Sequence, residues 1–534
     1  MLLIKSVNLI IFSISLIKNS IMRNFRICFL IIPFLITSVF LSGAEHRVIC
    51  PDGARPYVSS FINNNVVSTD KAFTGGLQKH LITNGFTFAQ VNANETSGVV
   101  TIVVKPGFYG RSTITGNNNI SDAGILSNLD WKTGKLFNYN KFYSESSRLN
   151  RNRFVQVDAK LKPIRRDDGE IQVNADFTVE DSFPISPYVK ISNDGTEQSS
   201  GWRSTLGFEL WEAVLPNDRF NLSYTLDPKD ASQLSSYFAS YQTGSNRFKQ
   251  TIFAGFSDSE YENVASTALS MDIAGDGFFT GYSGVLGLGL ENSNSFAFNF
   301  GFTYLDLSSQ IYLGSSKLLA SSEDLSLFLP RIGFQGKNSN PGVLRGHNFW
   351  SISAVSDLSS SDNSELAIQN PELNKGFWVP KASFAFVEPA NLFGAGGGLT
   401  FKLDGQVSNE PLPTSLKKSI GGMSSIRGYQ EREAYGDSGV SMNLEYSFPS
   451  EVSTVFGLEG SFQNLFFYDA GHVSNEGLMT SANNSIGMQS FGAGIIGNFE
   501  DTADISLQVG VPLTDTFNTR TYDARTHFSI NFRF

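Results

Sequence analysis

Apolar and polar residues alternate along most of the chain with a period of two. The clearest stretch is 295–304, where Phe and Tyr occupy every second position and small or polar residues lie between them. Residues 220–227 repeat this alternation with Phe, Leu and Tyr. A period of two predicts β-strands with one apolar face. A soluble sandwich would bury that face, but the glycine-rich, polar opposite face favours a transmembrane barrel with a wet lumen and an apolar exterior.

Residues 67–106 have other periods, which predict a first small α+β unit. Residues 68–70 can cap a helix, because Ser, Thr and Asp side chains accept hydrogen bonds from the first helical N–H groups. Phe73, Leu77 and Leu81 then recur every four residues and share one face of that helix. A run of β-branched residues near the end of the unit predicts a buried strand.

Residues 107–183 predict a second unit of the same kind. A strand near its start is followed by a short helix and a longer helix at 139–150. Two strands complete the unit, at 154–161 and 171–179, and the second alternates strictly between apolar and polar residues. One face of this sheet is therefore buried and the other is wet.

Residues 1–44 are predicted to be a signal peptide. Residues 22–26 form a basic start, 27–41 an apolar core, and 42–44 a small-residue cleavage site. Because these three parts suffice, Met22 is an alternative translation start. A membrane anchor is the other interpretation, and the short apolar core favours cleavage.

Residues 45–66 are predicted to be an irregular N-terminal extension. They contain Pro51 and Pro56, show no amphipathic helical period, and end in a short candidate strand at 61–67. Cys50 is the single cysteine that remains once the signal peptide is removed, so no intramolecular disulfide is expected.

Composition narrows the class of protein further. Aromatic residues make up 13% of the 534 residues, charged residues only 17%, and 49 residues are glycine. No apolar run of about 20 residues follows residue 44, so a helical membrane protein is not expected. The net charge of -10 offers no basic surface for nucleic acid. The histidines lack metal-binding spacing and no phosphate-binding glycine motif is present, so neither a metal nor a cofactor is expected.

The chain ends on an alternating strand whose last residue is aromatic. Phe528, Ile530, Phe532 and Phe534 share one face of this strand. In a soluble protein such a terminal edge would invite aggregation. It resembles the signal that barrel assembly machinery recognises on outer-membrane clients, with Phe532 and Phe534 as its residues.

Residues 421–429, with the sequence GGMSSIRGY, join two alternating segments and carry a cation at Arg427. This segment resembles the GG-x-x-S-V/I-R-G-F/Y motif of two-partner secretion transporters, the haemolysin-activator and filamentous-haemagglutinin exporters. Residues 467–471, with the sequence FYDAG, are similar to the F-x-D-x-G strand motif of that family. Residues 149–163 are similar to the end of its second POTRA domain.

The resemblance implies a domain plan. An all-β transmembrane barrel of 16 antiparallel strands would occupy residues 187–534, with a loop around 413–439 folded into its lumen. Two small α+β POTRA domains would precede the barrel, the first at 67–106, with a slightly earlier start left open, and the second at 107–183. At about 22 residues for each strand and its connection, the barrel region has sufficient length.

The resemblance also implies which residues hold the loop. Arg427 would pair with Asp469 of the strand motif, because a guanidinium matches one carboxylate with two parallel hydrogen bonds. Glycines would permit the tight backbone of the loop tip. The candidate residues are Arg427, Gly428, Tyr429, Asp469, Gly471, Gly421 and Gly422.

Two further motifs are predicted not to carry chemistry. Residues 436–439, with the sequence GDSG, resemble a serine-protease nucleophile, but no histidine-bearing partner motif accompanies them. Residues 272–277 partly resemble a calcium loop, yet Ala274 and Ser283 stand where ligands are needed, so a hairpin turn is predicted. The chain is not expected to be an enzyme.

The resemblance implies a polypeptide transporter of a Gram-negative-type outer membrane. Its POTRA domains would lie in the periplasm and capture an unfolded, β-helical secreted partner, although they could instead be spacers. Other expected partners are outer-membrane lipids and, during biogenesis, the barrel assembly machinery. A membrane-protein insertase of the same superfamily and a passive porin remain alternatives.

Overall fold

The computed structural model describes most of the chain after the predicted signal peptide. The described residues are 46–150, 152–167, 169–196, 200–212, 214–215, 218–244, 247–261, 271–290, 294–313, 318–338, 346–359, 376–392, 394–455, 458–477, 484–499 and 502–534. Among the described helices, none is long and apolar enough to cross a membrane. The predicted signal peptide lies outside the described residues.

The first α+β unit is built around one capped helix. Its elements are β1 (His46–Ile49), α1 (Arg55–Ile62), α2 (Lys71–Thr83), β2 (Gln90–Thr96) and β3 (Val99–Lys105). The sheet order is β1-β3-β2, with β1 parallel and β2 antiparallel to β3. The Asp70 carboxylate caps α2 by accepting the Phe73 N–H at 2.6 Å. Phe73, Leu77 and Leu81 are buried, as their shared helical face predicts.

The prediction of an irregular extension at 45–66 is wrong. Residues 46–62 contribute β1 and α1 to the first unit, so this unit begins before residue 67. Pro56 lies in the first turn of α1, where the missing N–H has no helical partner to lose. Residues from 61 onward begin as helix rather than strand, and only Val58 and Ile62 are buried at helical spacing. Two apolar residues are too short a signal for a periodicity argument.

The second unit has the predicted order of elements. They are β4 (Gly107–Thr115), α3 (Asp122–Asn128), α4 (Tyr139–Leu149), β5 (Val155–Arg165) and β6 (Ile171–Asp181). The sheet order is β4-β6-β5, with β4 parallel and β5 antiparallel to β6. Trp131 is the centre of its core, with edge-to-face contacts to the rings of Tyr109 and Phe177 at centroid distances of 4.7 and 5.3 Å.

The remaining strands, except for one short pair, form a closed antiparallel barrel. In chain order they are β7 (Ile185–Ser192), β8 (Arg203–Trp211), β9 (Arg219–Leu226), β10 (Ser235–Gly244), β11 (Phe248–Tyr261), β12 (Met271–Leu290), β13 (Asn294–Leu313), β14 (Leu318–Asn338), β15 (His347–Ser356), β16 (Trp378–Leu392), β17 (Ala395–Gln406), β18 (Lys418–Ile420), β19 (Ala434–Gly436), β20 (Ser438–Ser447), β21 (Glu451–Val455), β22 (Leu458–Ser474), β23 (Ser485–Phe499), β24 (Ala503–Pro512) and β25 (Arg525–Arg533). The short strands β18 and β19 pair only with each other and are not hydrogen-bonded into the barrel sheet. Both β20 and β21 pair with β22 and share one position, so the described strands fill 16 positions. The predicted fold class is confirmed.

The barrel closes where the last strand meets the first. Residues of β25 pair with β7 from Ser529 opposite Ser192 to Arg533 opposite Tyr188. The Phe534 N–H then donates to the Pro187 carbonyl oxygen at 2.9 Å. The C-terminal edge is therefore paired on both sides, while the side chains of Phe532 and Phe534 remain exposed on the outer surface. Their role as an assembly signal stays a prediction.

The predicted hairpin turn at 272–277 is also wrong. These residues lie within β12, which runs without a turn from Met271 to Leu290 and pairs with both β11 and β13. β12, β13 and β14 are the longest strands described. Each is longer than the stretch that a bilayer requires, so these strands continue beyond the membrane. Glycine and aspartate occur both in turns and in extended hairpins, so composition alone does not separate the two.

Candidate functional site

Residues 407–437, which connect β17 to β20, fold into the barrel and are called here the lumen loop. Its Leu412 packs against β14, while its Arg427 hydrogen-bonds to Gln508 of β24. β24 is the seventh strand position after β14 in a ring of 16, so these two walls lie nearly opposite each other. A single loop contacts both walls only if it lies inside the barrel. We call residues 421–429 the tip of this loop.

The tip is held by Arg427 and Asp469. Arg427 Nε lies 2.7 Å from Asp469 Oδ2, and Nη2 lies 2.8 Å from Oδ1, which is the two-pronged geometry of an arginine–carboxylate pair. The Arg427 backbone N–H also donates to Oδ2, at 3.1 Å. Arg427 is 6% exposed and Asp469 is fully buried. Water therefore screens this ion pair little.

Three further groups surround the guanidinium. Arg427 Nη1 donates to Glu445 Oε2 at 2.9 Å and to Gln508 Oε1 at 2.7 Å. Its Cζ lies 3.5 Å from the ring centroid of Phe467, so the cation stacks on an aromatic face. The carboxylate of Asp469 also accepts a hydrogen bond from Asn443 Nδ2, at 2.9 Å. Strands β20, β22 and β24 thus each contribute to binding one side chain.

The backbone of the tip requires its glycines. Gly421, Gly422 and Gly428 have φ angles of 108°, 92° and 93°, in the region that L-residues rarely adopt. A Cβ atom on Gly428 would lie 2.9 Å from the carbonyl carbon of Gly510, so the loop approaches β24 closely. The Gly428 N–H donates to His527 Nε2 at 2.9 Å. A Cβ on Gly471 would meet the Ile426 side chain at 3.0 Å.

Tyr429 ties the tip to the end of the barrel that carries the connection between β24 and β25. Its ring is fully buried in an apolar cluster with Ile420, Ile426 and Met488. Its hydroxyl lies 2.9 Å from the carbonyl oxygen of Gln489 and 2.8 Å from that of Thr514. The aromatic ring is thus packed and its polar end is satisfied, as buried tyrosines require.

The structure brings the seven predicted loop and strand residues into one region, whereas Phe532 and Phe534 lie at the other end of β25. Sequence reasoning missed Gln508 and His527. Gln508 stands among Leu507, Val509 and Val511 with the parity of an inward-facing residue, which was an available signal. His527 has no metal-binding spacing, and its bond to the Gly428 N–H has no sequence signature.

Strand parity also explains an anomaly in β22. Leu465 and Phe467 share the parity of Asp469, although apolar residues are unexpected on a lumen face. Both side chains are buried, and Phe467 is covered by the lumen loop because Arg427 stacks on its ring. Phe456, which precedes β22 in the same alternating sequence pattern, lies outside the described residues.

The GDSG motif spans the junction between the lumen loop and β20. Ser438 Oγ donates to the Ser408 carbonyl oxygen at 3.0 Å and accepts the Ser408 N–H at 2.9 Å. Among its described contacts no histidine is present, so the hydroxyl has the partners of a structural serine.

Fold and site together define the class: an outer-membrane barrel of the POTRA-containing superfamily, with an arginine-bearing loop folded into the lumen. Residues 169–497 match the family described as haemolysin secretion/activation protein ShlB/FhaC/HecB. Because the match spans more than half of the chain, the protein belongs to that family. It lies in the outer membrane, with its POTRA domains in the periplasm.

Individual relatives agree with this assignment. The heme/hemopexin transporter protein HuxB of Haemophilus influenzae is 31% identical over 152 residues, which are 28% of this chain and 23% of that protein. The structure of CdiB from Escherichia coli aligns over 94% of both chains with a TM-score of 0.76 at 15% identity. BamA from Haemophilus ducreyi, lacking POTRA domains 1–3, aligns over 92% of this chain and 99% of that chain, with a TM-score of 0.52 at 15% identity. At these identities the structural matches concern the fold.

Proposed function

We propose that this protein exports a large secreted partner polypeptide across the outer membrane. The POTRA domains bind the unfolded polypeptide in the periplasm, and the barrel is the pore. The observation that carries the proposal is the lumen loop, which occupies the barrel and is bound there through Arg427 and Asp469. A passive porin has no need of a charged anchor that holds a loop across its channel. Membership of a secretion family supports the same conclusion.

The seven loop and strand residues have separate roles in this proposal. Arg427 and Asp469 hold the tip, and Gly421, Gly422 and Gly428 permit its backbone. Gly471 leaves room for Ile426, and Tyr429 fixes the tip to the barrel end. Export needs no metal, cofactor or catalytic residue in this scheme, because folding of the passenger outside the cell supplies the driving force. We infer a β-helical passenger, which folds progressively as it emerges.

The edge strand β5 of the second POTRA domain is the proposed binding site for the passenger. Its Val157 forms both backbone hydrogen bonds away from β6, since its N–H donates to Asn150 Oδ1 at 2.8 Å and its carbonyl accepts from Asn150 Nδ2 at 3.0 Å. In an antiparallel pair the direction alternates from residue to residue. The backbone hydrogen-bonding groups of Ala159, Leu161 and Pro163 therefore also point away from β6.

Pro163 supports this assignment independently. Proline has no N–H and is tolerated in a sheet where that N–H would point outward from an edge. The stretch of β5 available to an incoming strand is thus limited on both sides. At Val157 the Asn150 side chain occupies the backbone groups, and at Pro163 the N–H is missing. Between them, Ala159 and Leu161 offer N–H and C=O groups to an extended chain. The other edge strand, β4, bonds instead to residues 134–137.

Proline substitution at this edge tests passenger binding. Ala159→Pro or Leu161→Pro removes an outward donor without touching the ladder to β6, as the natural Pro163 shows. We expect secretion of the partner to be lost while the barrel still reaches the outer membrane. Ala159→Ser and Leu161→Ala, which keep the N–H, are the matched controls and should secrete normally. Normal secretion by both proline variants would contradict passenger binding at β5 and would mean that the POTRA domains act as spacers.

Deletion of the gene separates export from membrane-protein insertion. Export predicts the loss of one large secreted protein with the outer-membrane proteins unchanged. An insertase predicts a general loss of barrels, and the shared fold with BamA makes that outcome worth measuring. Quantitative proteomics of the medium and the outer membrane gives the answer in one experiment.

A further inference from the structure

The apolar face of β14 changes sides along the strand. Toward the C-terminal end of β14, which we call its lower part, Ile332 and Phe334 are exposed on the outer surface. The inward-facing position between them carries the small Gly333. In its upper part Leu325, Leu327 and Leu329 are buried instead. Because side chains alternate strictly along a strand, these leucines have the parity of the lumen face.

The neighbouring strand β13 changes sides at the same level. Phe302 and Tyr304 have lipid-facing parity, but the next residues on that face are Asp306 and Ser308. Asp306 accepts a hydrogen bond from Ser326 Oγ of β14 at 2.7 Å, so the outer surface here is polar. Leu305 lies on the inner face with the β14 leucines. The lipid boundary is therefore near Tyr304, and the barrel above it has an apolar inner wall.

The lumen loop covers this apolar wall. Its Leu412 is 2% exposed, and Leu416 packs beside it. Together they complete a cluster at the extracellular mouth, called here the mouth cluster, whose residues are Leu305, Leu325, Leu327, Leu329, Val355, Phe377, Val379, Leu412 and Leu416. A barrel lumen is ordinarily polar and wet. Closely packed leucines at its outer end instead exclude water.

A buried carboxylate fixes the loop over the mouth cluster. Asp437 is fully buried, and its Oδ1 accepts the Leu412 N–H at 2.8 Å. Its Oδ2 accepts the Glu476 N–H from the β22–β23 connection, also at 2.8 Å. Lys417 Nζ lies 3.2 Å from Oδ1 and supplies the compensating charge. Asp437 therefore joins the part of the loop that carries Leu412 to the rim of the barrel.

We propose that this part of the loop, residues 408–417 with Asp437, is a hydrophobic gate at the extracellular mouth, distinct from the Arg427 anchor. We call it the stem. Leu412 and Leu416 close the mouth by packing on its apolar wall, and Asp437 is the positioning residue that holds them there. The gate rests on the proposed function of the barrel as a pore, and adds where that pore is closed at rest.

Channel conductance of the purified full-length protein in planar lipid bilayers tests the gate. Leu412→Ala removes apolar contact at the mouth, and Asp437→Asn removes one of two acceptors for backbone N–H groups. Each variant removes a contact that exists only in the closed state, so it destabilises that state relative to the open one. We therefore expect each variant to raise the fraction of time spent in a conducting state by roughly tenfold. The tip remains bound in both variants.

Two matched controls accompany these variants. Leu444→Ala shortens a leucine on the outer face of β20, and Asp504→Asn neutralises the partly exposed carboxylate of β24 that pairs with Arg533 of β25. Both should conduct like the wild type. Migration of unheated samples in gels shows whether each barrel has folded. If Asp437→Asn does not fold, Leu412→Ala decides alone, because it changes no polar contact.

Wild-type conductance from folded Leu412→Ala barrel overturns the gate. Because no secreted partner is present in the bilayer, that result leaves the export proposal standing. Conversely, an export assay that fails for the wild-type protein leaves the conductance result standing.

Discussion

The tip and the stem of the lumen loop are held by opposite kinds of interaction. At the tip, one guanidinium is surrounded by Asp469, Glu445 and Gln508, and each contact has a required direction. In the stem, leucines pack on an apolar wall, where contact depends on volume rather than direction. A buried ion pair is costly to break because the remaining charge stays buried. The tip therefore determines where the loop lies, and the stem determines how well the mouth is sealed.

The largest expected effect is the loss of the tip anchor. Arg427→Ala leaves Asp469 buried without its cation, which should lower the free energy of unfolding by about 3 to 5 kcal/mol. Urea unfolding of the refolded barrel measures this, and secretion should fall in parallel. Arg427→Lys keeps the charge but loses the fork, so it should recover only part of the stability. Full secretion by a normally inserted Arg427→Ala variant would show that the tip does not govern export.

A smaller loss is expected where the backbone of the tip is strained. Gly428→Ala places a Cβ at a φ of 93° and against the Gly510 backbone, and should cost roughly 1 to 3 kcal/mol. The same unfolding measurement applies. Gly398→Ala is the control, because an added Cβ there meets no atom within 4 Å. Equal stability of the two variants would mean that the tip adapts its backbone without cost.

The aromatic contact at the tip is expected to contribute less. Phe467→Leu keeps an apolar side chain on the inner face but removes the ring that lies 3.5 Å from the Arg427 Cζ atom. We expect a loss of about 0.5 to 2 kcal/mol, typical of a partly desolvated cation–π contact. Phe466→Leu, whose ring faces outward, should change stability less. A larger effect at Phe466 than at Phe467 would contradict the stacking.

The smallest expected effect is the coupling between tip and stem. Leu412 packs beside residues of β13 to β16, whereas Arg427 is bound by residues of β20, β22 and β24, so the two side chains have no partner in common. The unfolding free energies of Arg427→Lys and Leu412→Ala should therefore add to within about 0.5 kcal/mol in the double variant. A coupling energy well above that value would mean that tip and stem act as one unit.

Much of the fold followed from local patterns. Strict alternation along residues 295–304 predicts a strand with an aromatic face, and Phe73, Leu77 and Leu81 predict a helix, because each period is a property of the backbone. The same logic failed at residues 46–62, where two buried residues gave too little periodic signal. It also failed at residues 272–277, where glycine and aspartate in a long hairpin resembled a turn.

The site was predictable in part, for a similar reason. Parity placed Asp469 inward and the motif resemblance paired it with Arg427, whereas His527, Gln508 and the mouth cluster are far apart in sequence from the loop residues that they contact. Such contacts depend on which strands the closed barrel places around the loop.

The sequence by itself determined the period of each segment, the faces of its strands, and the two motifs that carry Arg427 and Asp469. Only the tertiary structure decided that the inner wall turns apolar above Tyr304, that Leu412 packs on it, and that Asp437 binds the Leu412 backbone. The physical reason is that alternation fixes two faces but not their surroundings. Whether a face meets lipid, water or a folded loop depends on barrel closure and on the height of each residue relative to the membrane.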